Sequence, residues 1–217
     1  MIRMITSLGI LACLLLWPGL VAAHRPLFVP GDNTTPEKAV EVQEPEISWA
    51  IYSELERGEV HYYRLKLAEE TDIFAQITSP ANNPFKPTLT LLGPGLPDAE
   101  GLPLTVPPGM GAISLETGEF IDSHFEPFTQ TRYLLGPELR ERLAPGTYYL
   151  AVWHPEGQPG RYALAVGEEE AWTWRDILKL PGMWFRARWW YNPGQTVAVF
   201  ALATAFLVGG GYLWLRR

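Results

Sequence analysis

The sequence predicts an all-β protein: an antiparallel, jelly-roll-like β-sandwich, followed by a juxtamembrane amphipathic segment and one transmembrane helix. Three observations carry this expectation. Short runs between residues 47 and 166 alternate apolar and polar side chains with period two. Clusters of Gly and Pro, 20 of each in 217 residues, separate those runs as turns separate short strands. The long, uncharged apolar stretches stand at the two ends of the chain, outside the alternating region.

The alternation starts over 47–55 and is clearest over 60–67, where His61, Tyr63, Leu65 and Leu67 fall on one face and Tyr62, Arg64 and Lys66 on the other. Further strands are expected over 72–78 and 87–92, near Leu104 and Ile113, over 132–135, and over 147–153 and 161–166. Tyr148, Leu150 and Val152 share one face, as do Tyr162, Leu164 and Val166. Turns are placed by Gly93-Pro94-Gly95, Pro107-Pro108-Gly109, Pro145-Gly146 and Gln158-Pro159-Gly160. A helical turn is expected over 138–143.

Residues 1–23 read as a signal peptide. Arg3 supplies the positive start, 5–17 the apolar run, and Val21-Ala22-Ala23 the small residues of a cleavage site before His24. An extended segment over 24–45 follows, kept from forming a long helix by Pro26, Pro30, Pro36 and Pro45. The sandwich then occupies 46–170, with an insert at 96–131. An aromatic and basic juxtamembrane segment spans 171–193, and a transmembrane helix spans 194–215. Such a helix crosses about 30 Å of bilayer core. Arg216 and Arg217 form a cytoplasmic tail. This is single-pass type I topology with the main domain extracytoplasmic. Arg175, Lys179, Arg186 and Arg188 lie on the side assigned to the exterior, against the positive-inside tendency. The signal peptide decides the orientation, because it commits the N-terminus first.

In the juxtamembrane segment a short helix is expected over 171–180, stopped by Pro181-Gly182. Trp172, Trp174, Trp184, Trp189, Trp190 and Tyr191, with Trp214 at the far end of the last helix, are candidate membrane-interface residues. Indole and phenol rings favour the headgroup zone, and the interleaved cations reach towards phosphates.

The outer region 24–170 holds about 23 acidic and 10 basic residues, a net charge of about −13. Such a surface repels phosphate backbones, which argues against nucleic acid as a partner. Cys13, inside the leader, is the only cysteine, so the mature chain has neither disulfides nor thiol-based metal sites.

The segments GEVHYYRLKL (58–67), TLTLLGPG (88–95) and APGTYYLAVWHPEGQPGRYALAV (144–166) resemble bacterial pre-peptidase C-terminal (PPC) domains. That resemblance implies a small jelly-roll sandwich in which the strand after Pro145-Gly146 and the Gly160-x-Tyr162-x-Leu164 strand form a hairpin. It also implies a binding or accessory role beside enzymes rather than catalysis. The long insert and the membrane anchor depart from the family pattern. Its shared motifs are turn and core signatures, which speak to fold more than to function.

No G-x-S-x-G, H-E-x-x-H, phosphate-binding glycine loop or dinucleotide fingerprint occurs in the sequence. Glu168, Glu169 and Glu170 read as a solvated linker, His61 as a core histidine and His154 as a turn residue. The chain is therefore expected to be a membrane-tethered binding module, not an enzyme, held by membrane lipid and meeting a protein or surface ligand. Copper offers an alternative reading. If cleavage follows Ala23, His24 presents an α-amine and an imidazole together, and His124, in SHFEPFT (123–129) near Glu126, is the best third nitrogen. This arrangement resembles the histidine brace of copper monooxygenases and periplasmic copper carriers.

Overall fold

The structure is a computed structural model that describes residues 24–115, 120, 123–127 and 129–216. The expected signal peptide lies outside the described residues. The chain divides after Trp172 into a β unit and a helical unit.

Among the described residues, eleven strands build two facing sheets. They are β1 (Arg25–Phe28), β2 (Val40–Glu41), β3 (Trp49–Leu55), β4 (Val60–Leu67), β5 (Thr71–Pro80), β6 (Thr88–Gly93), β7 (Gly111–Ser114), β8 (Ser123–Glu126), β9 (Thr131–Leu143), β10 (Gly146–Trp153) and β11 (Gly160–Val166). The six-stranded sheet has the order β1-β3-β11-β5-β9-β8, and the five-stranded sheet the order β2-β4-β10-β6-β7. The β-sandwich expectation holds. Its strictly antiparallel form does not, because β1 pairs with β3 and β2 with β4 in parallel. The cause is the course of the N-terminal segment. It adds an edge strand to one sheet, crosses by a 3₁₀ turn at Pro36–Lys38, adds an edge strand to the other, and returns as β3. Parallel neighbours need such a crossover, which a tight hairpin cannot supply.

The period-two pattern places the core between the sheets. Tyr63, Leu65, Leu91, Leu150 and Val152 point inward from one sheet, and Ile51, Ile73, Ile77, Tyr162, Leu164 and Val166 from the other, in one continuous cluster. Three expectations are corrected. β10 and β11 do not form a hairpin: β10 lies between β4 and β6, and β11 between β3 and β5. Tyr148 and Tyr162 therefore enter the core from opposite sheets. Residues 138–143 are not a helical turn but the end of β9, paired with β5. Glu138, Arg140 and Arg142 face out, while Leu139 and Leu143 are buried, which is strand periodicity. No strand forms at Leu104.

Residues 96–110 instead cover the outer face of the five-stranded sheet. Ala99, Leu102, Leu104 and Val106 pack on Tyr62, Leu92, Ala112 and Ala151. The Thr105 N–H donates to the Tyr62 hydroxyl at 2.8 Å, and the Ala112 N–H to the Pro97 carbonyl at 2.7 Å.

In the second unit, α1 (Trp174–Tyr191) and α2 (Pro193–Leu215) form a helical pair. A capping box of Thr173 and Asp176 starts α1. Pro181 does not stop α1 as expected, since the helix runs through it. The pair is tied by Phe200 of α2, which meets Phe185 at 5.6 Å and Trp184 at 6.3 Å between ring centroids. Within α2, the span Pro193–Tyr212 is long and apolar enough to cross a membrane, by length and composition.

Gly93, at the end of β6, tests the packing. The Tyr148 ring is buried against it, and a Cβ there would lie 2.1 Å from the ring's Cδ1. The Tyr148 hydroxyl donates to the Ala144 carbonyl at 3.1 Å, which keeps the ring from swinging away. Gly93→Ala is expected to destabilise the β unit by about 1–3 kcal/mol through overpacking. In urea melts the midpoint should fall with an unchanged m-value. An unchanged midpoint would contradict this placement of Tyr148.

Candidate functional site

The two outer faces of the sandwich differ. One is covered by 96–110, as described. The other, on the six-stranded sheet, holds a groove of about 360 Å³. Its floor follows from residue size along the central strands. β11 contributes only Ala163 and Ala165, and β3 contributes Ala50, whereas Tyr52, Phe74, Gln76 and Tyr133 stand taller around them. All of these are outward residues of alternating strands, yet Tyr52, Phe74, Gln76, Tyr133, Ala163 and Ala165 are buried. Phe28 of β1 stacks on Tyr52 at 5.0 Å, and Arg140 lies over Phe74 at 4.6 Å.

The groove closes because the sheet curls. Six flat strands would hold β1 and β8 about 24 Å apart, five steps of about 4.8 Å. Yet His24, which leads into β1, and His124, on β8, line the same groove. They are near enough that His124 acts on the charge of the His24 ring. The two candidate residues chosen from sequence are thus brought together, from opposite edges of one sheet. Glu126 joins them, because residues two apart on a strand share a face. Its Oε2 accepts from the Thr129 backbone N–H at 2.6 Å and from the Thr129 hydroxyl, which fixes the carboxylate across the turn between β8 and β9.

His24 as a whole remains exposed, but its ring is turned inward, with Nδ1 on the Ser48 hydroxyl in a half-buried contact. Loss of water around the ring lowers the His24 pKa below 6.5. Glu126 opposes that shift, His124 adds to it, and Glu170 opposes it. Burial pushes the Tyr52 phenol well above its ordinary value, helped by Tyr133 and Glu126, so it stays protonated.

Sequence reasoning missed the third wall. Glu168 and Glu170 border the groove while remaining exposed to solvent, so the expected solvated run also forms part of its rim. The Glu168 and Glu169 N–H groups donate to the Glu46 carbonyl, and Ser48 N–H donates to Glu169 O at 2.8 Å. Arg140 grips the Glu168 carboxylate through two nitrogens at 2.8 and 2.9 Å. The signal was the even spacing of Glu168 and Glu170, which puts both on one face of an extended strand. Among the described residues, no three His, Cys, Asp or Glu side chains are gathered closely enough to hold a metal ion.

His61 and His154 lie elsewhere. His154 Nδ1 accepts from the Glu156 N–H at 3.2 Å, and its ring stacks on Phe85 at 5.3 Å. The His61 side chain is fully buried. Its Nδ1 faces the Tyr162 hydroxyl at 2.8 Å and the Ser53 hydroxyl at 3.2 Å, and the Glu59 carboxylate lies 3.5 Å from Nε2. Ser53, His61 and Glu59 have the residue types of a nucleophile, a base and an orienting acid. Gly31 of the N-terminal segment lies over the ring, and Ser53 is 2% exposed, so no substrate reaches them. The group is a core hydrogen-bond network. Of the candidate interface aromatics, Trp172 closes the β unit, and Trp174, Trp184, Trp189, Trp190 and Tyr191 lie on α1. Trp174 and Trp189 are exposed. Trp214 falls in the last turn of α2, with its side chain outside the described residues.

Burial also lowers the His61 pKa, against the opposing charges of Glu59 and Asp32. A base with a lower pKa folded than unfolded takes up its proton first in the unfolded chain. Its contribution to stability is therefore complete above about pH 6.5 and is lost as pH falls from there towards the folded value. His24 acts in the same direction. Thermal melts from about pH 8 to about pH 5.5 should give a level Tm above about pH 7 and a decline below about pH 6.5. A Tm that stays level throughout would contradict the neutral, desolvated state of these rings.

No protein-family model matches the chain, and no curated protein matches it. Solved structures similar to it include PliG of Aeromonas hydrophila, a periplasmic inhibitor of g-type lysozyme. It is 14% identical over 67% of this chain and 98% of that one, with a TM-score of 0.35. The PliG of Salmonella Typhimurium, also a periplasmic inhibitor of g-type lysozyme, is 12% identical over 67% and 98%, with a TM-score of 0.31. The pre-peptidase C-terminal domain of a Bacillus anthracis collagenase is 12% identical over 66% and 96%, with a TM-score of 0.34.

Proposed function

We propose that this chain is a membrane-tethered, extracytoplasmic β-sandwich binding module, not itself catalytic, and that the groove on its six-stranded sheet is the ligand face. One observation carries the reading: the two outer faces are treated differently. The chain spends residues 96–110 covering one face, while the other is left as a groove with a low alanine floor and aromatic walls. Binding sites are concave, largely apolar and provided with a few placed polar groups. This groove has that make-up, with His24, His124, Gln76 and the carboxylates of Glu126, Glu168 and Glu170 around apolar walls. The acidic rim favours a ligand that presents positive charge, such as a basic or metal-bearing group. The tether is the apolar helix α2, and the signal peptide read from residues 1–23 supplies export.

The reading is tested by filling the groove. Ala163 sits on its floor, and Ala163→Arg introduces a long cation there while leaving the core between the sheets untouched. In crosslinking from native membranes, a ligand attached to wild-type protein is expected to be lost in Ala163→Arg. It should be kept in Lys66→Ala, at an exposed position on the opposite sheet. Equal recovery from both variants, at unchanged Tm, would contradict the assignment. So would turnover of a substrate by the purified chain.

A further inference from the structure

The groove has one end where nitrogen donors collect. His24 and His124 reach it from opposite edges of the sheet, and Glu126 and Glu170 stand close enough to act on the His24 charge. The His24 ring is turned so that Nδ1 meets the hydroxyl of Ser48, itself part of the groove lining. Nδ1 is the nitrogen that matters for chelation. It is separated from the backbone nitrogen of the same residue by Cα, Cβ and Cγ, so one cation held by both closes an unstrained six-membered ring.

We propose that the mature chain binds one Cu(II) at this end of the groove, through the α-amine and Nδ1 of His24 and the imidazole of His124. The proposal rests on the groove being the ligand face and on cleavage after Ala23. The side chains alone do not make the site, since among the described residues no three acidic, His or Cys groups converge. The third donor is the amine that exists only once the leader is removed. While residue 23 is attached, that nitrogen is a peptide N–H, which has no lone pair to give. Export and cleavage therefore create the site, and the precursor lacks it. Three nitrogen donors, two of them imidazoles, select copper over the other divalent first-row metals. Glu126, anchored by Thr129, and Glu170 place negative charge beside the cation without supplying thiolates. Ser48 holds the His24 ring in place until the metal takes over its contact with Nδ1.

The test uses the full chain purified from its native membrane in detergent, with the N-terminus read by intact mass. Cu(II) is titrated against a competing chelator. A second chain carries Gly and Ser inserted between Ala23 and His24, which keeps every side chain but moves the amine away. A third carries His124→Ala, at an exposed strand position where folding is not at stake. The wild-type chain should start at His24 and bind one Cu(II), with nitrogen hyperfine structure in its EPR spectrum. Each variant should bind at least ~100-fold more weakly, more than most outer-shell substitutions cost at metal sites. A mature chain that starts elsewhere overturns the proposal. Equal affinity in all three chains, or a preference for Zn(II) over Cu(II), overturns it as well. Crosslinking with Ala163→Arg reports on the groove separately, so loss of the copper site with retained ligand capture refutes this proposal alone.

Discussion

The geometry of the site depends on the pairing of β1 with β3 at the edge of the six-stranded sheet. Arg25 N–H donates to the Ser48 carbonyl at 2.7 Å and Val29 N–H to the Tyr52 carbonyl at 3.0 Å, at the two ends of the parallel register. Phe28 lies on Tyr52, and Arg25 lies over Trp49 at 4.7 Å. This one pairing fixes His24 beside the groove. It also covers an edge that would otherwise present unpaired backbone groups. The same segment then crosses to pair Val40 and Glu41 with β4, and on the way Gly31 lies over the buried His61 ring. An N-terminal stretch with four prolines could have been a loose leader. It is instead a strap that ties both sheets.

Curl and side-chain size complete the site. The alanines of β3 and β11 lower the middle of the face, and the tyrosines and Phe74 raise its sides. β8 brings His124 and Glu126 over from the far edge, where His124 stands opposite Tyr133 in the register. The insert divides its work. Residues 96–110 cover one face of the sandwich, and β7 and β8 extend one sheet each. Residues 96–110 thus cover one face, and His124 and Glu126 of β8 furnish the other.

The core was legible from period two alone. His61, Tyr63, Leu65 and Leu67, and Tyr162, Leu164 and Val166, all point where their alternation places them. Which strands pair was not legible, because alternation carries no information about neighbours. β10 and β11 looked like a hairpin, but the turn between them carries the chain from one sheet to the other. Residues 138–143 read as helical because Glu, Leu and Arg favour helices, and pairing with β5 overrode that preference. Pro181 looked like a stop, but the helix runs through it although it stands inside the helix, where a proline removes the hydrogen bond to residue 177. His24 and His124 were singled out from residue type and an expected cleavage site. That both line one groove was not legible, since it depends on the course of a sheet whose edge strands do not pair. Glu168 and Glu170 were read only as a solvated run; they are exposed, but backbone bonds to Glu46 and Ser48 hold the segment at the groove's rim.

The central claim is that the two edges of the six-stranded sheet approach each other across the groove. Cys13 is the only cysteine in the sequence and residues 24–217 hold none, so two can be introduced into the sandwich. Spin labels on His24→Cys, which leads into β1, and His124→Cys in β8, both lining the groove, would report the edge-to-edge distance by dipolar EPR. A curled sheet predicts a narrow distribution centred well below the roughly 24 Å of a flat one. A distribution at or beyond that distance would contradict the shared groove and every site built on it.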